Sequence, residues 1–142
     1  MTTAREIMTE GADCARSDET LADAARKMRD LGVGALPICG DDDRLKGMVT
    51  DRDIVVRCVA EGGDPSSTTV SELAEGKPVT IGADDPVDEA LRTMIEYGVR
   101  RLPVIDGDRL VGMLAQADVA RETSPEQAGD LVAALSQASG NN

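Results

Sequence analysis

An internal repeat constrains this chain more than any other feature of its sequence. Residues 32–38 read GVGALPI and residues 98–104 read GVRRLPV, so the second copy begins 66 residues after the first. Beyond a turn the spacing becomes 65 residues, because RLKGMV at 44–49 recurs as RLVGML at 109–114. Self-similarity at a fixed spacing indicates two copies of one structural unit. We expect two units related by a pseudo-twofold axis, each covering apolar surface of the other.

Each copy predicts the element order β-α-β-β-α, which defines a mixed α/β (α+β) fold. Apolar residues at helical spacing predict the first helix of each copy, and two short apolar runs around a turn predict a hairpin. The leader TAREI at residues 3–7 aligns with TVSEL at residues 69–73. We place one domain with its N-terminal leader at 1–65 and a second at 66–123. A C-terminal helix and a disordered tail complete the chain at 124–142.

Composition and charge disfavour several functions. The formal net charge is −12, from 15 basic and 27 acidic residues, which argues against nucleic acid and anionic membranes as partners. The chain has no histidine, so it lacks the commonest general base and metal ligand, and we expect neither an enzyme nor a metal site. The sequence contains no membrane-length apolar run, and its start does not resemble a signal peptide, which predicts a cytoplasmic location.

The repeated motifs resemble a known family. Residues 32–38, the run GMVTDRD at 47–53 and their second-copy counterparts look like the paired motifs of tandem CBS (cystathionine-β-synthase) domains, also called a Bateman module. The resemblance covers about residues 2–122. It implies a non-enzymatic regulatory protein that forms a homodimer through its helices. It also implies clefts between paired units that bind AMP, ATP, S-adenosylmethionine or a similar adenosine compound.

Thr50 and Asp53 are the first candidate ligand residues. They follow a predicted strand and open a helix, whose N-terminal N–H groups suit a phosphate. A hydroxyl adds a donor, and a carboxylate three residues later can accept both hydroxyls of a ribose. The alternative is a capping box in which the two side chains cap the helix. The second copy keeps Asp118 but has Ala115 in place of the threonine, so any two clefts should differ.

Arg100 and Arg101 replace Gly34 and Ala35 of the first copy. An arginine here resembles the phosphate-facing position of the family, and its fixed charge suits phosphate. The alternative is a surface arginine paired with the acidic excess. Because Tyr97 is the only aromatic residue, a purine base would contact aliphatic side chains, for which the candidates are Ile38, Val104, Val33 and Val99.

Cys14 and Cys39 form a candidate disulfide. The first lies in the predicted first strand and the second at the end of the next, so their sulfurs meet if these strands are parallel neighbours. The alternative is two reduced thiols. Their second-copy counterparts are Thr80 and Ile105, so the pair is not a requirement of the fold.

Two functions remain from these observations. The first is a stand-alone sensor of an adenosine-type nucleotide that acts in trans on an unknown protein partner. The second is a ligand-free dimeric interaction or scaffold protein of a stress response, made redox-responsive by Cys14 and Cys39.

Overall fold

The computed structural model describes residues 1–11, 13–74 and 78–138. A π-helical turn at Val55–Val59 continues α3, and a short 3₁₀ turn lies at Val70–Glu72. In chain order the other elements are α1 (Ala4–Ile7), β1 (Thr9–Glu10), β2 (Ala15–Arg16), α2 (Leu21–Leu31), β3 (Ala35–Cys39), β4 (Leu45–Thr50), α3 (Asp51–Ile54), β5 (Ile81–Gly82), α4 (Val87–Tyr97), β6 (Arg101–Asp106), β7 (Arg109–Ala115), α5 (Gln116–Arg121) and α6 (Pro125–Gln137).

Residues Asp13–Pro78 form one compact unit, the first-repeat unit. Its sheet has the strand order β2-β3-β4, with β2 parallel to β3 and β3 antiparallel to β4. Every residue of β3 is buried, as is typical of a strand at the centre of a sheet. The amphipathic helix α2 buries Leu21, Ala24 and Met28 in the same aliphatic core. The predicted β-α-β-β-α order and the mixed fold class are confirmed.

The second-repeat unit comprises Met1–Ala12 and Val79–Asn142. Its sheet has the order β1-β7-β6-β5, in which β5 is parallel to β6 and the other pairs are antiparallel. Helix α4 buries Val87, Ala90, Leu91 and Met94 in the core of this unit. Leu131 and Leu135 of α6 enter that core as well. The predicted disordered tail, residues 139–142, lies outside the described residues.

The two leader segments are exchanged between the repeats. Strand β1 pairs with β7, and Thr3 bridges Pro86, so the N-terminal leader packs on the second repeat. Thr69 forms the corresponding bridge with Thr20 in the first-repeat unit. The compact units therefore differ from the predicted domains 1–65 and 66–123, which follow the repeat. The reason is that the leaders contribute fully buried side chains, Ala4 and Val70, to the opposite cores.

Glycine ends the first helix of each repeat and turns the chain into the following strand. Gly32 has φ 69° and Gly98 has φ 66°, the left-handed conformation that glycine adopts without steric cost. The N–H of Gly32 bonds to Arg29 O, and that of Gly98 bonds to Met94 O. Helices α2 and α4 therefore end in the same way, with a left-handed glycine at equivalent positions of the two repeats.

A disulfide bond joins Cys14 and Cys39 in the first-repeat unit, where their Cα atoms are 5.7 Å apart. It is placed by the parallel pairing of β2 with β3, in which Ala15 is opposite Ile38 and Arg16 is opposite Cys39. The third cysteine, Cys58, is buried and takes no part in a disulfide; its thiol donates to Thr68 Oγ1 at 3.9 Å.

None of the helices in the described part of the chain is both long and apolar enough to cross a membrane.

Replacing both bridged cysteines, Cys14→Ser with Cys39→Ser, should lower the free energy of unfolding by roughly 3 kcal/mol. The bond closes a loop with a sequence separation of 25, which restricts the unfolded chain. Urea denaturation of both proteins measures the difference. Dithiothreitol should destabilise the wild-type chain by a similar amount and leave the double variant unchanged. A wild-type chain whose unfolding curve does not respond to reductant contradicts the prediction.

Candidate functional site

Thr50 and Asp53 meet at the start of α3 and form a complete capping box. The Asp53 N–H donates to Thr50 Oγ1, and the Thr50 N–H donates to Asp53 Oδ2, both at 3.0 Å. Thr50 is the last residue of β4 and is buried. The other carboxylate oxygen, Asp53 Oδ1, lies 4.0 Å from Arg57 Nη1, and the Asp53 side chain is 29% exposed. Thr50 and Asp53 are therefore hydrogen-bonded to each other, and Asp53 Oδ1 takes no part in the cap.

The equivalent position of the second repeat has half of this arrangement. The Ala115 N–H donates to Asp118 Oδ2 at 2.9 Å, but alanine has no side-chain oxygen to accept a bond in return. Asp118 Oδ1 accepts from Arg121 Nη2 at 2.6 Å, and the Asp118 side chain is only 14% exposed. Both oxygens of Asp118 are thus engaged by its own helix. The two predicted carboxylates differ in their surroundings, as their sequences suggested.

Arg100 interacts with the C-terminal end of α6. Its Nη2 donates to Leu135 O at 3.1 Å, and its carbonyl accepts from the Gln116 N–H. A cation near the last carbonyls of a helix stabilises the negative end of the helix dipole. Arg101 begins β6 and is paired in register with Ala115. The structure therefore gives Arg100 a role in holding α6, which sequence reasoning did not anticipate because α6 is outside the repeat.

The predicted aliphatic contacts differ in exposure. Ile38 and Val104 are fully buried in the cores of their own units. Val99 is partly buried against the second core, whereas Val33 is 42% exposed. Of these four side chains, Val33 is thus the most accessible to another molecule.

The predicted ligand residues are divided between the two compact units. Thr50, Asp53 and Ile38 lie in the first-repeat unit, whereas Arg100, Arg101, Val104 and Asp118 lie in the second-repeat unit. Within a unit, the structure brings Thr50 into direct contact with Asp53, and places Arg101 opposite Ala115, three residues before Asp118.

Sequence reasoning missed an open groove in the first-repeat unit. It has a volume of about 460 Å³ and lies beside the end of α2 and the start of α3. Its lining is mainly aliphatic, with Arg29 and Asp51 as charged members. Hydrogen bonding to Asp30 raises the pKa of the Arg29 guanidinium, which keeps its charge fixed. The sequence feature that could have predicted this groove is the set of valines at 55, 56 and 59. These residues place hydrophobic side chains on more than one face of a short helix.

Among the residues the structure describes, no group of three or more cysteine, aspartate or glutamate side chains is placed to hold a metal ion.

Two β-α-β-β-α units with shared motifs, in which β5-β6-β7 repeats the order of β2-β3-β4, are the architecture of a CBS pair. The model of the CBS domain matches residues 4–59 and again residues 70–124. The chain belongs to the CBS-domain family, whose domains are regulatory modules, and the resemblance found in the sequence is confirmed.

Particular members of the family are close to this chain. It is 52% identical to hypoxic response protein 1 of Mycobacterium tuberculosis over 128 residues, covering 90% of this chain and 89% of the relative. The crystal structure of hypoxic response protein I with two coordinated zinc ions matches with a TM-score of 0.80 and 50% identity, covering 87% of this chain and 100% of that one. The CBS domain pair of protein MJ0100, in complex with 5′-methylthioadenosine and S-adenosyl-L-methionine, matches with a TM-score of 0.75 and 26% identity, covering 86% and 95%.

Exchanging the caps of the two repeats should change stability in opposite directions. Thr50→Ala removes a buried cap acceptor and should cost about 1 kcal/mol of unfolding free energy, whereas Ala115→Thr supplies the missing acceptor and should add a comparable amount. Chemical denaturation measures both changes. Thr50→Ser, which keeps the hydroxyl, is the matched control and should behave like the wild type. If Thr50→Ala and Thr50→Ser are equally stable, the hydroxyl does not cap α3.

Proposed function

We propose that this chain is a stand-alone, non-enzymatic regulatory protein that senses an adenosine-type nucleotide and acts in trans on a protein partner. The ligand would be AMP, ATP or S-adenosylmethionine. The observation that carries the proposal is the arrangement of Thr50 and Asp53 at the start of α3 in a CBS fold. A related pair, that of MJ0100, is described with two adenosine compounds bound, which supports this ligand class.

The chemistry of the pair suits a ribose and a phosphate. A carboxylate accepts hydrogen bonds, and Asp53 Oδ1 lies outside the cap, so this oxygen would accept from ribose hydroxyls. A threonine hydroxyl donates as well as accepts, so Thr50 would retain its cap while donating to an anionic oxygen. Backbone N–H groups in the first turn of α3 add positive partial charge at the same place.

The two repeats would contribute unequally to nucleotide binding. Asp118 already accepts from Ala115 N and Arg121 Nη2, and Ala115 offers no hydroxyl. Arg100 is engaged with Leu135 O, so using it for phosphate requires breaking that bond. We therefore propose Thr50 and Asp53 as the main contacts. The other candidates would make secondary contacts, and their side chains would have to become accessible when the ligand binds: Asp118, Arg100, Arg101, Ile38 and Val104.

Zinc has no part in this proposal, although the hypoxic response protein I structure contains two zinc ions. The chain has no histidine, and Cys14 and Cys39 are bonded to each other. The donor set that zinc prefers is therefore not offered by the described residues. The homodimer and the cytoplasmic location stay predictions from the sequence.

Isothermal titration against AMP, ATP and S-adenosylmethionine tests nucleotide sensing. We expect saturable binding to the wild-type chain, and a loss of roughly tenfold or more in Asp53→Asn. Asparagine keeps an oxygen for the Thr50 N–H but replaces the second acceptor with a donor, so the cap survives while the ribose contact does not.

Asp118→Asn is the matched control in the second repeat and should weaken binding less than Asp53→Asn does. Equal melting temperatures for Asp53→Asn and the wild type without ligand would show that folding is intact. Flat titrations of the wild-type chain with all three compounds contradict the proposed sensing function.

A second candidate function is favoured by the Cys14–Cys39 disulfide. In this alternative the chain is a ligand-free dimeric interaction protein of a stress response, and the state of the bond controls partner binding. Pull-downs from oxidised and reduced samples distinguish it, because the recovered partner would depend on the bond and not on nucleotide. Mass spectrometry of the intact protein tests the bond, because a disulfide lowers the mass by two hydrogens. If the mass is unchanged after mild oxidation, this candidate function is excluded.

A further inference from the structure

The disulfide of the first-repeat unit joins a partly exposed cysteine to a buried one. Cys14 comes directly before β2, an outer strand of the sheet β2-β3-β4, and is partly exposed. Cys39 is the last residue of β3, the central strand, and is only 1% exposed. Because a disulfide is opened by direct attack on one of its sulfurs, a thiol in solution has access to the bond from the Cys14 side only.

The parallel pairing of the two strands does not need the disulfide. In the second-repeat unit, β5 pairs with β6 in the same parallel register in which β2 pairs with β3. The positions of the two cysteines are occupied there by Thr80 and Ile105, which form no covalent link. The fold therefore makes this strand pairing without a sulfur bridge, and opening the bridge leaves the pairing in place.

Hydrogen bonds that involve neither sulfur also hold the two cysteines. The N–H and the hydroxyl of Ser17 both donate to Cys39 O, at 3.0 Å and 3.2 Å. Lys27 Nζ donates to Cys14 O at 2.9 Å and to Glu19 Oε1 at 2.7 Å. These bonds are independent of the disulfide, so the two cysteines stay adjacent when it opens, and it can form again.

We propose that Cys14 is a site of reversible S-thiolation by a low-molecular-weight thiol, with Cys39 as the resolving cysteine. The thiolate of the small molecule attacks Cys14 Sγ, and the bond between the two protein sulfurs breaks. Cys39 Sγ leaves with the electron pair as a thiolate and takes a proton from water. The products are a mixed disulfide on Cys14 and a free thiol at Cys39.

The reverse reaction restores the protein disulfide. The Cys39 thiolate attacks Cys14 Sγ and expels the small thiolate. One disulfide is exchanged for another in each direction, so the exchange needs no oxidant or reductant beyond the small thiol itself. A mixed disulfide of this kind is a reversible modification of a cysteine.

This inference rests on the disulfide of the structure and not on nucleotide sensing. To the redox-responsive candidate function it adds the cysteine that is modified and the class of molecule that modifies it. Cys58 serves as a reference within the same chain, because it is a thiol that is only 2% exposed. We expect no modification of Cys58 in the folded protein.

Two single variants, Cys39→Ser and Cys14→Ser, test which cysteine is modified. Both lack the disulfide and so lose the same constraint, but the first keeps only Cys14 of the pair and the second keeps only Cys39. Each folded variant is incubated with glutathione disulfide, whose attack by a protein thiolate attaches one glutathionyl group and releases one glutathione. Cys14 should be modified roughly tenfold or more faster than Cys39, because only Cys14 is accessible. Intact-mass spectrometry gives the rates, and peptide mapping gives the position.

Urea-unfolded samples of both variants are the control, and there the two cysteines should react at similar rates. Circular dichroism shows whether each variant is folded without urea. Equal rates in the folded variants, faster modification of Cys39, or no modification of Cys14 overturns the proposal.

The wild-type chain gives a second measurement that does not depend on a variant. Excess reduced glutathione, followed by an acid quench, should give an adduct on Cys14 and a free thiol at Cys39. An adduct on Cys39, or a disulfide that opens without any adduct on Cys14, overturns the proposal and leaves the redox-responsive candidate standing. A wild-type chain that forms no disulfide overturns both, and nucleotide sensing is judged by its own titration.

Discussion

The exchange of leader segments is the constraint on which the rest of the structure depends. Ala4, from the start of the chain, is fully buried in the core of the second-repeat unit, and Val70, from the middle, is fully buried in that of the first. Each repeat therefore lacks part of its own core within its own contiguous sequence. Because the missing side chain of each core comes from the other repeat's leader, the compact unit around each core does not coincide with one sequence repeat.

The two units share one fold but differ in the features that each adds to it. The disulfide, the complete capping box and the open groove all lie in the first-repeat unit. The second-repeat unit has none of these at the matching positions and is instead covered by α6, which Arg100 helps to hold. The first-repeat unit thus leaves an apolar groove open, whereas α6 contributes two buried leucines to the core of the second-repeat unit.

Several features could be predicted from local patterns. The repeat, the β-α-β-β-α order and the mixed fold class follow from side-chain periodicity and turn residues, which act over a few positions. The contact between Thr50 and Asp53 was also predictable, because a capping box needs only a three-residue spacing at a helix start. The sulfurs of Cys14 and Cys39 are adjacent because β2 and β3 are parallel neighbours, so this pairing depended on a correct topology.

The sequence by itself determined the elements, the family and the asymmetry between Thr50 and Ala115. Only the tertiary structure decided which leader completes which core, that Ile38 and Val104 are fully buried, and that Arg100 bonds to α6. The physical reason is that periodicity and capping are local, whereas burial depends on which distant segments meet. Leu31, Val33, Val55 and Val59 remain exposed because no described segment covers them, while α6 covers the matching face of the second repeat.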